Sequence, residues 1–291
     1  MIGYILEIDP GLDLSTLDQV RASRDYRSLL VQISTETGKT FTATERESGV
    51  GVAMLVPVGD KNILAIDLAM LECLFHEDKS IMLTSVNMIH HELAHAHDSA
   101  VKHRNLPDVW MKRQLEGWSS WTSRITQSIW DEYFAERRSF PTLPNGESLR
   151  IPLLEIEIPR IAETIQCSIE AFRVHLDIER LVREVFAEVS FLFQLTGYAL
   201  GTLAASGQTI EDTHAGAANA VHKSSLGKRW DALATSLDIM WTSHGEWPGF
   251  EIFEPLERVV HETIGDYGVI LLTRPDGSLY ADVPFPTSTM S

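Results

Sequence analysis

The chain has 291 residues, 44% of them hydrophobic and 22% charged, which is enough to bury a substantial core. Its formal net charge of −17 disfavours direct binding to nucleic acid phosphates or to an anionic membrane surface. Cys73 and Cys167 are the two cysteines, so a disulfide scaffold is disfavoured, and no charged-then-apolar leader opens the sequence. We therefore expect a cytoplasmic protein.

The N-terminal part predicts a small sheet with one helix. Residues 4–8 have the composition of a short strand, and residues 14–35 predict an amphipathic helix with a start signal at Ser15 and Thr16. Residues 51–58 and 62–66 are strand-like and flank a turn, which predicts a β-hairpin.

The segment after this hairpin contains the pattern HExxH, as His91-Glu92-Leu93-Ala94-His95. On a helix, residues four apart lie one above the other, so the two imidazoles can bind one Zn²⁺ while Glu92 reaches a water on that ion. Helical phase supports this interpretation, because an apolar stripe lies opposite the histidines; it consists of Met82, Val86, Ile89, Leu93 and Ala96. The motif predicts metal-assisted hydrolysis, whereas a chance match would leave ordinary surface histidines.

A catalytic zinc site normally has three protein ligands, so one more must be found. The extended pattern HExxHxxGxxH is absent, because Asp98 and Val101 occupy its glycine and third-histidine positions. The segment around residues 130–138 is a better source, since Glu132 and Glu136 are in phase with its apolar stripe. Periodicity does not separate these two glutamates, and either could instead pair with a neighbouring arginine.

Three further residues are candidates for accessory roles. Asp98 lies on the same helical face as His91 and His95, where a carboxylate can orient an imidazole, or it is simply a surface acid. Glu136 is a candidate for the same orienting role or for an alternative ligand. Tyr133 is a candidate hydrogen-bond donor to the transition state, although packing is the more common role of a tyrosine.

Residues 140–150 contain Pro141, Pro144, Asn145 and Gly146 and predict a linker or exposed loop. Beyond it, residues 158–205 and about 226–243 have helical patterns, and residues 271–283 have the signal of a β-hairpin. The apolar run 189–205 is too short and too polar for a bilayer, which favours a buried core helix. We expect a core at 1–139, a linker at 140–150 and a mostly helical region at 151–291, which can pack on the core as one unit.

HExxH followed by ExxA, here Glu132-Tyr133-Phe134-Ala135, resembles the gluzincin pattern, and most closely the ImmA/IrrE-like group of small bacterial and phage metallopeptidases. The resemblance spans about residues 50–138. It implies an α+β, zincin-like fold with Zn²⁺ held by His91, His95 and Glu132, and a small Ala135 that lets two helices approach. The chain departs from this group at Glu136, where Asn often stands, and in its long C-terminal part.

The expected function is that of a zinc metallopeptidase that acts on a protein or peptide substrate with Glu92 as general base. One alternative is a regulatory or binding protein of the same fold that acts on a transcriptional regulator with little proteolysis. Another is a zinc hydrolase of a non-peptide substrate. Glu92 favours catalysis, because a structural zinc site has no use for a base.

Overall fold

The computed structural model describes residues 1–43, 45–46, 49–106, 115 and 117–285. The protein is α+β, and helices account for most of the described residues. These residues form two compact units. The first contains residues from 1–110, 134–148 and 204–206, and the second contains residues from 111–133, 149–203 and 207–291.

The first unit contains a three-stranded sheet of β1 (Leu17–Ser23), β4 (Ala53–Val58) and β5 (Lys61–Asp67), in the order β1-β5-β4. Strand β5 runs parallel to β1 and antiparallel to β4. The predicted hairpin is thus confirmed, and its turn uses Gly59 at φ +64°, a conformation that favours glycine. Two strands of two residues each, β2 (Glu45–Arg46) and β3 (Gly49–Val50), pair antiparallel and precede this hairpin in the sequence.

Both faces of β5 are covered, and its side chains alternate between two cores. Ile63 and Ala65 pack with helix α2 (Tyr26–Thr37). Leu64 and Ile66 pack on the other side, against helices α1 (Ile2–Ile8), α3 (Leu68–Glu72) and α4 (Lys79–Asn105); the residues that these helices contribute are Ile5, Met70, Val86, Ile89 and Leu93. The apolar face of α4 is therefore anchored to the sheet.

Two N-terminal predictions were wrong. Residues 4–8 belong to helix α1, because Ile5 is buried in the core beside α4, and a short apolar run does not distinguish a helix from a strand. The predicted helix at 14–35 divides into β1 and α2, since pairing with β5 holds residues 17–23 extended. The start of α2 is marked by Asp25, whose side chain accepts from Ser28 N at 3.0 Å.

The second unit is mostly helical. It includes residues 119–133 of helix α5 (Ser119–Ser139), whose last turns belong to the first unit. The other helices are α6 (Leu153–His175), α7 (Ile178–Ser206, of which residues 204–206 belong to the first unit), α8 (Ile210–Thr213), α9 (Ala215–Lys223), α10 (Trp230–Thr242) and α11 (Glu254–Asp266). The predicted C-terminal hairpin is confirmed as β6 (Ile270–Thr273) and β7 (Leu279–Asp282). Residues 140–148 contain two short 3₁₀ turns, Phe140–Thr142 and Pro144–Gly146.

Helix α7 is the one helix in the described ranges that is long and apolar enough to cross a membrane. However, 61% of its apolar window is buried inside the protein. Such burial is typical of a core helix, which is what the sequence predicted for residues 189–205.

Candidate metal centre

Helix α4 presents both histidines of the HExxH pattern. It begins after Asp78, whose carboxylate caps the helix by accepting from Ser80 N at 2.8 Å. The face opposite the apolar stripe is also largely enclosed: His91 is 3% exposed, and Asn87 and Asp98 are buried, while His95 is half-buried. The two histidines are therefore not freely solvated surface residues.

The two imidazoles face each other with their Nε2 atoms. His91 Nε2 and His95 Nε2 are 3.1 Å apart, and the ring planes are nearly perpendicular, at 87°. Two nitrogen ligands at about 2.05 Å from one tetrahedral Zn²⁺ lie about 3.3 Å apart. The pair is thus spaced as two ligands of one ion would be.

Helix α5 supplies the carboxylate that joins this pair. His91, His95 and Glu132 each offer one ligand atom, and these atoms all lie within 4.8 Å of one another. Glu132 is only 9% exposed, and a carboxylate buried to that extent requires a cation or hydrogen bonds. The three residues can hold a metal ion, and the group does not by itself identify which one.

Glu136, one helical turn after Glu132, contacts the His91 imidazole at its other ring nitrogen. Its Oε2 atom lies 3.1 Å from His91 Nδ1, and the residue is 4% exposed. Because His91 Nε2 faces His95, the Glu136 contact is on the other ring nitrogen. A carboxylate beside Nδ1 favours a proton on that nitrogen, which leaves Nε2 able to bind a metal, although the contact is an ion-pair distance and not an aligned hydrogen bond. Glu132 and Glu136 therefore have different contacts, which helical periodicity did not distinguish.

Buried hydrogen bonds fix α4 against the end of α5 within the first unit. Asn87 Nδ2 donates to Ser139 O at 2.9 Å and to Thr142 Oγ1 at 3.1 Å. His90 Nδ1 lies 3.0 Å from the same Thr142 hydroxyl. These bonds hold the last turn of α5 in register with α4, which keeps Glu136 opposite His91.

Asp9, the residue that ends α1, also binds the last turn of α5. Arg138 donates from Nε to Asp9 Oδ2 at 2.7 Å and from a terminal nitrogen to Oδ1 at 2.9 Å. Burial favours a raised pKa for Asp9, but the Arg138 guanidinium and the nearby His90 outweigh it and lower the pKa. The carboxylate is therefore stabilised in its charged form.

We expect Asp9→Asn to lower the free energy of unfolding by about 1–3 kcal/mol at neutral pH, because a two-bond contact to a charged group is lost. The folded-state pKa of Asp9 is depressed, so this stabilisation is complete above the unfolded-state pKa of about 3.9 and is lost as the pH falls through the folded value. Urea unfolding across this pH range measures the difference. Asp18→Asn, at an exposed position, is the matched control, and an equal loss in both variants would contradict the prediction.

Glu92 is half-buried on α4, and the structure reveals an aromatic neighbour that the sequence analysis did not identify. Tyr26 on α2 is 5% exposed, and its hydroxyl has no hydrogen-bond partner among the described residues. Burial is the main cause that raises the pKa of Tyr26, and the negative charges of Glu92 and Asp67 raise it further. The phenol is therefore neutral and lies within electrostatic reach of the expected general base.

We expect Tyr26→Phe to raise the free energy of unfolding by about 1 kcal/mol, because it removes a buried hydroxyl whose lost hydration is not repaid by a hydrogen bond. Chemical denaturation of the metal-free protein measures the change. The same substitution at the half-exposed Tyr4 should have little effect. A clear loss of stability in Tyr26→Phe would show that the hydroxyl is bonded.

The other sequence-predicted residues have structural contacts of their own. The Asp98 carboxylate is buried and pairs with Lys102 Nζ at 2.6 Å. Tyr133 is fully buried and packs with Trp130, with ring centroids 6.1 Å apart. The roles predicted for Asp98, in orienting an imidazole, and for Tyr133, as a donor, stay predictions.

Gln194 of α7 is a further residue that the sequence analysis missed. Its Nε2 atom donates to Glu132 Oε1 at 2.7 Å. The sequence analysis treated Gln194 only as a polar interruption of an apolar run, although a polar residue inside a core helix requires a buried partner. That requirement is the signal that could have identified it.

The centre therefore combines two imidazole nitrogens, a carboxylate oxygen and a second carboxylate on the far side of one imidazole. This donor set suits a divalent transition-metal ion. No protein-family model, no curated protein and no solved structure matches the chain.

Proposed function

We propose that the protein is a zinc-dependent metallopeptidase with a zincin-like core, in which His91, His95 and Glu132 hold the ion. The observation that carries the proposal is the 3.1 Å approach of His91 Nε2 to His95 Nε2, with a Glu132 oxygen within 4.8 Å of both. Three protein ligands are the usual number in a catalytic zinc site, where the fourth position stays open for water or substrate.

When bound, zinc acts as a Lewis acid that polarises a carbonyl group and lowers the pKa of coordinated water to about 7. The Glu136 carboxylate would favour a proton on His91 Nδ1, which leaves Nε2, on the side of His95, able to bind the ion. Glu132 supplies one negative charge, which would partly neutralise the ion and leave it able to attract electrons from a substrate.

Glu92 is the proposed general base. Its carboxylate removes a proton from the attacking water as the water oxygen bonds to the carbonyl carbon. The C–N bond then breaks, and the same proton passes from Glu92 to the leaving nitrogen. Water is thereby divided between a new carboxyl group and a new amine, and Glu92 returns to its starting state.

A peptide is the proposed substrate because strand β4 is an edge of the three-stranded sheet in the described part of the chain. The backbone groups on such an edge can pair with an extended peptide regardless of its side chains. The net charge of −17 is the reason we do not propose nucleic acid or an anionic membrane surface as a partner, and a cytoplasmic location stays part of the proposal.

The proposal is tested with purified protein, Zn²⁺ and an unbiased peptide library. We expect cleavage that stops when a chelator removes the ion and returns when Zn²⁺ is restored. Bound zinc without cleavage of any peptide would favour the binding-protein alternative or a non-peptide substrate. Failure to bind zinc at all would refute the proposed centre.

A further inference from the structure

The helical region that follows residue 150 contacts the proposed metal ligand directly. Gln194 Nε2 donates to Glu132 Oε1 at 2.7 Å, which is the length of a strong hydrogen bond to a charged acceptor. A carboxylate accepts but does not donate, so the Gln194 amide must present its nitrogen to Glu132. This contact restricts how the carboxylate can rotate.

Gln194 is itself held by its neighbours on and near α7. The same Nε2 atom donates to the Tyr198 hydroxyl at 3.2 Å, one helical turn further on. The Arg150 guanidinium lies over the Tyr198 ring, 4.1 Å from its centre, and this cation–π contact helps to anchor the ring. The Gln194 amide is therefore directed by a fixed partner as well as by Glu132.

The backbones of α7 and α5 approach closely at the turn that carries Glu132, and Gly197 permits this approach. A Cβ atom at position 197 would lie 2.7 Å from Ile129 O and 3.1 Å from Glu132 Cβ. Such contacts are too close for any residue larger than glycine without movement of a helix. A larger residue at position 197 would move the two helices apart, and the Gln194 amide would then lie at a different distance from the Glu132 carboxylate.

We propose that Gln194 is a positioning residue for the metal centre, which orients Glu132 so that a carboxylate oxygen is presented to the ion. The inference rests on the proposed function, because it assumes that Glu132 is a ligand. It gives the C-terminal helical region a defined role. That role is to support a ligand, since hydrogen bonds to ligating carboxylates are a major determinant of metal affinity.

The test compares Gln194→Met, which keeps the length of the side chain but removes the donor, with Gln166→Met on α6. Gln166 is exposed and donates to Glu170 at 2.9 Å, so it is a matched glutamine distant in sequence from the centre. We expect Gln194→Met to lower Zn²⁺ affinity about 10- to 100-fold. We also expect it to alter the visible absorption of the Co²⁺-substituted protein, while Gln166→Met changes neither.

A merely structural role for Gln194 predicts a different result. It would lower the melting temperature of the metal-free protein but leave Zn²⁺ affinity and the Co²⁺ spectrum unchanged, and that outcome would overturn the inference. If Gln194→Met does not fold, Gln194→Glu keeps the side-chain shape and replaces the donor by an acceptor, and the same loss of affinity is expected. His91→Ala in the same zinc-binding assay tests the proposed metal centre separately from the role of Gln194. Unaltered zinc binding in that variant refutes the metal centre itself.

Discussion

Glu92→Gln should lower the rate of peptide cleavage about 10²- to 10⁴-fold while the protein keeps its zinc. The substitution preserves the size of the side chain and removes only its ability to accept a proton. His91, His95 and Glu132 remain in place, so the ligand atoms that lie within 4.8 Å of one another are unaffected. Cleavage of a defined peptide and zinc content by atomic absorption measure the two quantities on the same preparation.

Glu77→Gln is the control for this experiment, because Glu77 is exposed and lies just before the start of α4. It should retain both zinc and activity. If Glu92→Gln also retains full activity, Glu92 is not the general base. If Glu92→Gln loses its zinc, Glu92 contributes to metal binding and the ligand set must be revised.

Glu132→Gln should bind zinc far more weakly than Glu136→Gln, although the two glutamates lie one turn apart on the same helix. The structure groups Glu132 with both histidines, whereas Glu136 lies 3.1 Å from the Nδ1 edge of His91. Loss of the orienting carboxylate at position 136 should cost about 10- to 100-fold in affinity. Loss of a ligand at position 132 should cost more than that.

Competition with a chromophoric chelator measures both affinities, and the two variants control for each other because each removes one buried negative charge from α5. Circular dichroism of the metal-free proteins verifies that both are folded. A larger loss in Glu136→Gln would reverse the assignment and make Glu136 the third ligand. Equal affinities in both variants and the parent protein would remove α5 from the centre.

Local patterns were sufficient for some elements of the fold and insufficient for others. The hairpin of β4 and β5 was predictable because alternation and a glycine turn specify it locally. Helix α4 was predictable because its apolar stripe has helical phase. Residues 17–23 were not, since they become a strand only through pairing with β5, more than 40 positions away in the sequence. Contacts between distant segments override local propensity in such cases.

The candidate site shows the same division. The spacing of His91 and His95 is a local property, so the sequence indicated that both imidazoles face one point. Glu132 and Glu136 share a helical face, and only the position of the His91 ring distinguishes their contacts. The partners that support the site, Gln194 for Glu132 and Asp9 for Arg138, are distant in sequence and leave no pattern that periodicity detects.

The bond between Asp9 and Arg138 has a practical consequence for the choice of a shorter fragment of this chain. A fragment that starts shortly before the HExxH pattern would contain every ligand but would lack the first helix and its terminal aspartate. The apolar side of α4 that Ile5 covers would then face water, and Arg138 would lose its carboxylate partner. Deletion of the leading nine residues should therefore produce an aggregation-prone, protease-sensitive product, and affinity tags at that end should be separated from Met1 by a flexible spacer.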